Sequence, residues 1–556
     1  MKNVTKLVAL LLVLAMVLGM AACGSSEPAT DAPAADAPAA DAPAADAPAA
    51  DIEQVFYTYT GSEPATFDPW INNSGAASIF VAATHEPFLR RANNEQGWEP
   101  GLCTDYTPNA DYTEHTVTLR EGAKWEDGTD ITMDDVIASF QRVLNPETAS
   151  AIAYKYFEIL NAEAYYLGEV EWDEVGIKAD GQTLTFTTTN TCTYFLELLC
   201  GSKMAPISAA AAAEFGTDYG TDVGKMLASG PFKLTEWTHT NSFVLEKNEN
   251  YWDAENVALE RIEVTITSDS NTIQGMYLND ELSIMKVSDD LLAQYADENI
   301  YDNVLTRVTF IEFNPANKFM GNIKIREALS IAFNRTLFAE QVMGNASLAA
   351  YGMVPYGVTG VNGGDFREQQ GNLVKDATDA AEIERAKQLL AEGLAELGAT
   401  VEEMQEGFTV QCLESGKTQA EFIQACWKQN LGVEMPVSVM DINVLLPLLV
   451  GGTFDCVIGG GQDSDYCDPQ GFMQFIYDEN KWDNEEFRSL VELAHTQVGD
   501  ERIETWMQIE KMVLENFIYI PQVYAMNHWA IKDGVEGLEF FVNGHEMDFK
   551  HVEITK

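Results

Sequence analysis

The segment LREGAKWEDG at residues 119–128, followed by TMDDV at residues 132–136, carries the most specific local signals of this chain. Gly128 comes directly after an aspartate, and a tight hairpin turn needs glycine at such a position. Thr132 suits the N-cap of a helix, and the aspartates that follow suit the positive end of its dipole. The segment therefore predicts a hairpin turn that leads into a helix over residues 132–143.

Outward from this segment, strands and helices alternate along the chain. Residues 55–60 resemble an opening strand, and residues 114–119 and 183–188 alternate as half-buried strands do. Apolar spacing and composition predict helices at residues 323–342, 380–397, 418–430 and 501–514. Mixed elements over about five hundred residues predict an α/β protein of two or three lobes.

Further runs keep a fixed order along the chain: EPATFDP (63–69), GPFKL (230–234) with NENYW (248–252), IREALS (325–330) with NR (334–335), and WKQNLGV (427–433) with GTFD (452–455), leading into DYCDP (465–469). Together with LREGAKWEDG they resemble the extracellular solute-binding proteins, family 5, of peptide ABC transporters, which are oligopeptide- and dipeptide-binding lipoproteins. Any one run is a weak signal, but five collinear ones are specific.

The resemblance implies an α/β, periplasmic-binding-protein type II fold with two main lobes, a hinge and an extra subdomain. Lobe I is then discontinuous, at residues 52–85, 206–307 and 520–556, lobe II covers residues 86–205, and lobe III covers residues 308–519. Ligand is expected in the gap between lobes, where hinge closure buries it.

The resemblance also implies which residues contact the ligand. In the family, the aspartate of the DYxxP run binds the α-ammonium group of a peptide, and Asp465 has that place in DYCDP. Tyr466 and Cys467 follow it, and Asn314 matches an FN at a strand end, so these residues are expected in the cleft. The alternative is that Asp465 is only a turn residue before Pro469.

Two departures from the family pattern leave the type of ligand open. GGGQ at residues 459–462 replaces a tryptophan, and glycines expose backbone groups for pairing with an extended ligand. An arginine that some members have after GTFD falls near Ile458, so that anchor for a peptide carboxylate is missing. A nickel complex, haem, an oligosaccharide or an opine is therefore the alternative ligand.

The first residues predict export and lipid attachment. Lys2 and Lys6 precede an apolar run that is short for a bilayer span and ends at MAAC, residues 20–23. This resembles the lipobox of bacterial lipoproteins, which implies a signal peptide at residues 1–22, lipidation of Cys23 and a location at the outer face of the cell membrane. Residues 23–51 form a spacer, because a proline in each DAPAA repeat interrupts helix.

The net charge and the number of cysteines limit which binding partners and which disulfide bonds we expect. The formal net charge of −54 repels phosphate backbones, so nucleic acid is not an expected partner. Apart from Cys23, seven cysteines remain, an odd number that cannot all pair. We expect mostly buried thiols, with Cys192–Cys200 and Cys412–Cys456 as alternative bridges.

Motifs for catalysis are absent or incomplete. The sequence has no His-Glu-x-x-His zinc motif and no Gly-x-Ser-x-Gly elbow. Residues 220–225 are one residue short of a P-loop, and Met226 replaces its hydroxyl. The acidic run DSDYCD at residues 463–468 suggests calcium but lacks the terminal glutamate of an EF-hand loop. We expect no enzyme, cofactor or metal site, and a surface hydrolase is the least favoured alternative.

These observations predict a lipid-anchored receptor that captures short peptides between lobes. It would deliver them to the permease and ATPase subunits of an ABC importer, and it is expected to be a monomer. Main-chain hydrogen bonds would supply affinity that does not depend on peptide sequence. The tether would raise the effective concentration of the receptor at its permease.

Overall fold

The computed structural model describes residues 52–72, 74–92, 97–288, 291–295, 298–344, 347–479, 482, 484–542 and 547–556. The predicted signal peptide, Cys23 and the whole predicted spacer lie outside the described residues. Within them, the chain forms a mixed α/β structure with three sheets of four or more strands. No helix in these ranges combines the length and the apolar character that a membrane span requires.

The first sheet joins the beginning of the described chain to a later segment. Its order is Val55–Thr60, Arg261–Ile266, Ser242–Lys247 and Phe232–Thr238. The first pair is parallel and the others are antiparallel. The parallel pair requires the chain to return from far along the sequence, because parallel neighbours need a crossover.

The second sheet is antiparallel throughout and lies entirely within residues 86–205. Its order is Cys103–Pro108, Glu114–Leu119, Thr183–Thr187 and Ile177–Asp180. The buried rings of Trp70, Trp125 and Phe140 belong to one apolar core that this sheet shares with the first. Burial of such large rings contributes much of the free energy that fixes one sheet on the other.

The third, central sheet contains two long neighbouring strands. Its order is Ile284–Val287, Tyr519–Ile531, Asn299–Phe313, Cys456–Asp463, Val410–Leu413 and Val437–Met440, with Ser347–Ala349 beside Tyr519–Ile531. The strands Asn299–Phe313 and Tyr519–Ile531 run antiparallel and cross the predicted lobe boundaries at 307/308 and 519/520. Two adjacent strands that pass between lobes are the connection that a hinge requires. The division into three lobes stays a prediction.

Short ladders and helices complete the fold. The two-stranded ladders are Leu89–Arg91 with Trp98–Pro100, Val535–Glu536 with Glu553–Ile554, and Glu539–Phe540 with Met547–Asp548. The helices are Gly75–Thr84, Met133–Leu144, Ala162–Tyr166, Phe195–Leu199, Ala209–Phe215, Ser270–Leu278, Ile323–Ile331, Arg335–Gln341, Phe366–Gln370, Ala380–Leu397, Val401–Glu406, Lys417–Leu431, Ile442–Val450, Gln474–Glu479, Glu485–Ala494 and Gly499–Glu515.

The turn and the helix predicted from LREGAKWEDG and TMDDV are both present. The amide of Gly128 donates to the carbonyl of Trp125 over 2.9 Å, and Gly128 has a φ of +85° that favours glycine. Thr132 is the N-cap of Met133–Leu144, in a reciprocal capping box with Asp135. The local prediction is therefore confirmed, with the helix starting one residue later than expected.

One predicted helix is broken in two. The structure has Ile323–Ile331 and Arg335–Gln341 where the sequence predicted a single helix over residues 323–342. The break is at Asn334, because its Oδ1 accepts a hydrogen bond from the amide of Leu337 over 2.9 Å and so caps the start of the second helix. Arg335 is fully buried and donates to the carbonyl of Pro521 over 2.8 Å, which sets the direction of that helix.

Candidate functional site

Residues 465–469, the DYCDP loop, join the central sheet to the segment of residues 86–205. The loop follows the strand Cys456–Asp463. The ring of Tyr466 stacks on that of Tyr194, with centroids 4.0 Å apart and planes 9° from parallel. The amide of Cys467 donates to Oε2 of Glu197 over 2.6 Å. Because Tyr194 and Glu197 both lie within residues 86–205, the loop forms a contact between two separate parts of the fold.

Asp465 forms an ion pair across this same contact. Its Oδ2 contacts Nζ of Lys155, which lies in the short 3₁₀ helix Ala153–Tyr156. The side chain of Lys155 is 19% exposed and that of Asp465 is 40% exposed, so the pair is at the rim of the contact and reaches water. The sequence predicted a carboxylate between lobes that faces an ammonium, and here an internal lysine supplies that ammonium.

Asp463, the first acidic residue of the run, also has a cationic partner. Nη1 of Arg307 donates to both carboxylate oxygens of Asp463, over 3.0 and 2.7 Å. Across the described ranges, no cluster of three histidine, cysteine or acidic side chains is placed to hold a metal ion. Ion pairs thus engage the carboxylates of Asp463 and Asp465 in this run.

Asp468 anchors the loop from inside the protein. Nη1 and Nη2 of Arg502 donate to its two carboxylate oxygens over 2.6 and 2.9 Å, in the bidentate geometry that is strongest for this pair. Arg502 is 1% exposed, and although burial opposes its charge, the Asp468 carboxylate raises the pKa of Arg502. Gln470 links this pair to the neighbouring segment, because its Nε2 donates to the hydroxyl of Tyr194 over 2.9 Å.

The strand that leads into the loop has one open edge. On one side, Cys456–Asp463 pairs with Asn299–Phe313 along its length. On the other side it pairs with Val410–Leu413 only at Cys456 and Val457. Among the described residues, no strand pairs with residues 458–463 on that side, but Gly416 and Gln419 lie against Ile458 and Gly459, which leaves residues 460–463 as the candidate edge. An open edge of this kind is a template for an added strand.

Comparison with known sequences places the chain in a family. The family described as bacterial extracellular solute-binding proteins, family 5 Middle, matches residues 97–484, which is more than half of the chain. The chain belongs to the family 5 extracellular solute-binding proteins. This confirms the family that the five collinear runs predicted.

Two relatives of this family 5 protein are from Bacillus subtilis (strain 168). The dipeptide-binding protein DppE is 29% identical over 493 residues, which is 85% of this chain and 87% of the relative. The oligopeptide-binding protein OppA is 26% identical over 497 residues, which is 86% of this chain and 88% of the relative. The similarity therefore extends over almost the whole length of both.

Solved structures of similar proteins share the fold. Listeria monocytogenes OppA bound to peptide superposes with a TM-score of 0.72, at 24% identity, over 91% of this chain and all of that one. The pheromone receptor PrgZ superposes with a TM-score of 0.73, at 23% identity and the same coverage. The chain has the periplasmic-binding-protein type II fold, as the sequence predicted.

Asn314 has a different environment from the other predicted cleft residues of this family 5 protein. It is 8% exposed, and its Nδ2 donates to the carbonyls of Gly452 and Phe454 over 3.0 and 2.6 Å. Its Oδ1 accepts from the amide of Ala316 over 3.0 Å. These bonds hold the GTFD turn against the end of a central strand, and the place of Asn314 in the cleft stays a prediction.

The cysteines are thiols within the described part of the chain. Cys192, Cys200, Cys412 and Cys456 are free and buried, so the two alternative bridges are wrong. Burial and the neighbouring Glu197 raise the pKa of Cys467 well above its ordinary value. Its thiol therefore stays protonated at neutral pH, and both the backbone amide and the side chain of Cys467 interact with Glu197.

Sequence reasoning missed the partners that segment 86–205 supplies. Lys155, Tyr194 and Glu197 all touch the DYCDP loop, but each lies far from it along the chain. None is in a run that matches the family pattern, and a lone lysine or tyrosine carries no local signal of its role. An alternating pattern predicts which face of a strand is buried, and it does not predict which distant segment covers it.

Proposed function

We propose that this family 5 protein captures short peptides in extended form beside the DYCDP loop and delivers them to an ABC permease. The observation that carries the proposal is the strand edge at residues 460–463, which has no strand partner on one side and ends two residues before Asp465. A peptide that adds a strand to this edge brings its amino terminus to the carboxylate. Backbone pairing and charge pairing then act on the same ligand.

The edge supplies affinity without selecting side chains. In an added strand, alternate N–H and C=O groups of both chains form hydrogen bonds, each worth about 1 kcal/mol net. Gly459, Gly460 and Gly461 have no side chains to crowd the ligand. Peptides of varied sequence are therefore accepted along this edge.

Asp465 selects for a free amino terminus and sets the register. Two unit charges about 4 Å apart attract by about 4 kcal/mol at an effective dielectric constant near 20. Because the side chain of Asp465 is 40% exposed, solvent screening and desolvation reduce the net gain well below that figure. Tyr466 and Cys467 flank the carboxylate and hold the loop on segment 86–205.

The transport setting follows from the relatives and from the amino-terminal signals. The two Bacillus subtilis relatives are named for dipeptide and oligopeptide binding. A monomeric receptor held to the outer face of the cell membrane by lipid on Cys23 would meet the permease and ATPase subunits of a peptide importer. Binding without covalent change of the peptide is the activity we propose, and no catalytic residue takes part.

Mass spectrometry of the ligand released from purified protein tests the ligand class. Mixed short peptides, recovered intact, support peptide capture. A single oligosaccharide, opine, haem or nickel complex overturns it in favour of a non-peptide solute. Recovery of cleaved products from an added intact peptide would instead support a hydrolase.

Substitution of Asp465 tests the site. We expect Asp465→Asn to weaken binding of free-amine peptides by about tenfold or more, which is the loss of roughly 1.4 kcal/mol. Binding of the same peptides with acetylated amino termini should change little, as calorimetric titration would measure. Asp280→Asn is the matched control, because Asp280 is an exposed aspartate outside the proposed site that also pairs with a lysine, Lys532. Equal losses for free and acetylated peptides remove Asp465 from its assigned role.

A further inference from the structure

Lys155 occupies the place that the proposed function gives to the ligand. Its Nζ contacts the carboxylate of Asp465, as the α-ammonium group of a peptide would. Both are primary ammonium groups with three donors, so one can replace the other on the carboxylate. Capture of a free-amine peptide at Asp465 is therefore an exchange of one ammonium for another.

Lys203 is a second ammonium beside this pair. Its Nζ donates to the carbonyl of Asn72 over 3.0 Å. In the part of the chain that the structure describes, no carboxylate lies within ion-pairing distance of Lys203. The Lys203 charge is close enough to act on Lys155. A shielded ammonium with only a neutral partner is costly unless an anion joins it.

While Lys155 stays on Asp465, one of the two lysine ammonium groups has a carboxylate partner and Lys203 has only a carbonyl. When a ligand ammonium takes the carboxylate, Lys155 and Lys203 are left as neighbouring cations with no carboxylate in contact. Two like charges in a shielded site disfavour each other. A carboxylate on the ligand, close to its own ammonium, returns the site to its resting net charge.

We propose that the ligand ammonium displaces Lys155 from Asp465 and that Lys155 and Lys203 then bind a carboxylate of the same ligand. This rests on the proposed function. The site then selects zwitterionic peptides that carry a carboxylate near the amino terminus, such as those that begin with an acidic residue. Lys155 is the residue that determines this specificity.

Release of a proton from Lys155 on ligand binding is a second measurable consequence of the exchange. Burial and the Lys203 ammonium lower the pKa of Lys155 to about 7, and Asp463 opposes them. Contact with Asp465 favours the charged form in the resting protein, while the ring of Tyr154 also faces Nζ. A ligand that takes Asp465 and brings no carboxylate therefore releases a proton near neutral pH, and a ligand with a carboxylate does not.

Calorimetry of the full chain with two matched peptides tests the proposal. Glu-Ala-Ala-amide and Gln-Ala-Ala-amide differ only in the first side-chain carboxylate, and titration in two buffers of different ionisation enthalpy counts the protons released. For the unaltered chain we expect about tenfold tighter binding of the glutamate peptide. We expect proton release only with the glutamine peptide.

Three variants separate charge from structure. Lys155→Met should bring the two affinities close together and abolish proton release. Lys155→Arg should keep the preference and abolish the release, because arginine stays charged. Lys428→Met, which removes an exposed lysine paired with Glu434, is the control and should change neither quantity.

The outcomes distinguish this proposal from the proposed function. If the unaltered chain binds both peptides and Lys155→Met leaves the affinity ratio and the proton count unchanged, the exchange is overturned and peptide capture stands. If the unaltered chain binds both peptides equally, the predicted preference for a ligand carboxylate is wrong. The proposed function still stands in that case if Asp465→Asn selectively weakens the binding of free-amine peptides. If the unaltered chain binds neither peptide, the proposed function fails and this inference fails with it.

Discussion

Asp468 and Arg502 hold the DYCDP loop in place so that Asp465 can face the opposite segment. The pair is bidentate and buried, and Arg502 also donates to Oε1 of Gln470 over 2.8 Å. Breaking such a buried pair by removing one partner leaves a charge without compensation, whereas an exposed pair contributes little. Within one short run, therefore, Asp468 has a structural role, and the more exposed Asp465 is available for exchange.

His115 makes folding stability depend on pH. It is fully buried, its ring stacks on that of Phe195 at 4.4 Å, and burial lowers its pKa from an ordinary 6.5 to about 4. Its Nε2 donates to the carbonyl of Tyr112 over 3.0 Å, and its Nδ1 accepts from the hydroxyl of Tyr106 over 2.9 Å. This arrangement suits the neutral ring, so only the unfolded chain takes up the proton between about pH 6.5 and 4.

His115→Gln should therefore lose less stability in acid than the unaltered chain. The contribution of the neutral ring is fully present above pH 6.5 and is lost as pH falls towards 4, by up to about 3 kcal/mol. Urea unfolding of both proteins across this pH range measures the difference between their free energies of unfolding, and this difference should decrease as pH falls. Glu126 and Glu539, whose pKa values burial raises to about 7, titrate in both proteins and cancel. A difference in free energy of unfolding that stays constant with pH contradicts this role for His115.

The sequence predicts one half of the candidate site and not the other. Asp465 is identified by a run of residues that the family shares, and the structure puts it at a contact between segments. Lys155 has no such run, and its role arises only from folding of a distant segment onto the loop. For Asn314, a matching dipeptide at a strand end does not reveal that its amide is bonded to the carbonyls of Gly452 and Phe454.

At the scale of elements, local signals predicted helices and strands where one segment alone decides the structure. The strand Val55–Thr60 and the helix Ala380–Leu397 have the predicted bounds. The prediction of one helix over residues 323–342 is wrong at Asn334. The side chain of Asn334 caps a new helix there, although the apolar spacing continues past it. Strand partners were beyond prediction, because pairing between distant strands leaves no periodicity in either one.

The capping box of the helix Met133–Leu144 is open to a direct test. Oγ1 of Thr132 accepts from the amide of Asp135, and Oδ2 of Asp135 accepts from the amide of Thr132 over 2.9 Å. We expect Thr132→Ala to lower the free energy of unfolding by about 1 kcal/mol, because the amide of Asp135 loses its side-chain acceptor. Thr132→Ser keeps the hydroxyl and is the matched control, which should stay within a few tenths of the unaltered chain. Equal losses for both variants, as measured by urea unfolding, would show that the methyl group and not the cap is responsible.

At the scale of the whole molecule, the fold depends on two antiparallel strands that connect its parts. Asn299–Phe313 and Tyr519–Ile531 lie next to each other in the central sheet and extend beyond the predicted lobe boundaries. Composition and periodicity alone predicted only an α/β protein of more than one lobe. The type II arrangement came from the order of the family runs, since local physical chemistry does not specify which segments return to one sheet.

The excess of acidic residues should make the stability of the whole protein depend on salt. The chain has 87 acidic against 33 basic residues, so even complete pairing leaves a formal charge of −54 that repels itself in the compact state. Raising NaCl from about 10 to 200 mM shortens the Debye length from about 30 Å to below 10 Å and should raise Tm by a few degrees, as calorimetry would measure. The same titration near the isoelectric point of about 4.2 is the control, because there the net charge is close to zero and salt should have little effect. A Tm that falls with salt at neutral pH would mean that attractive ion pairs such as Arg307–Asp463 outweigh the repulsion.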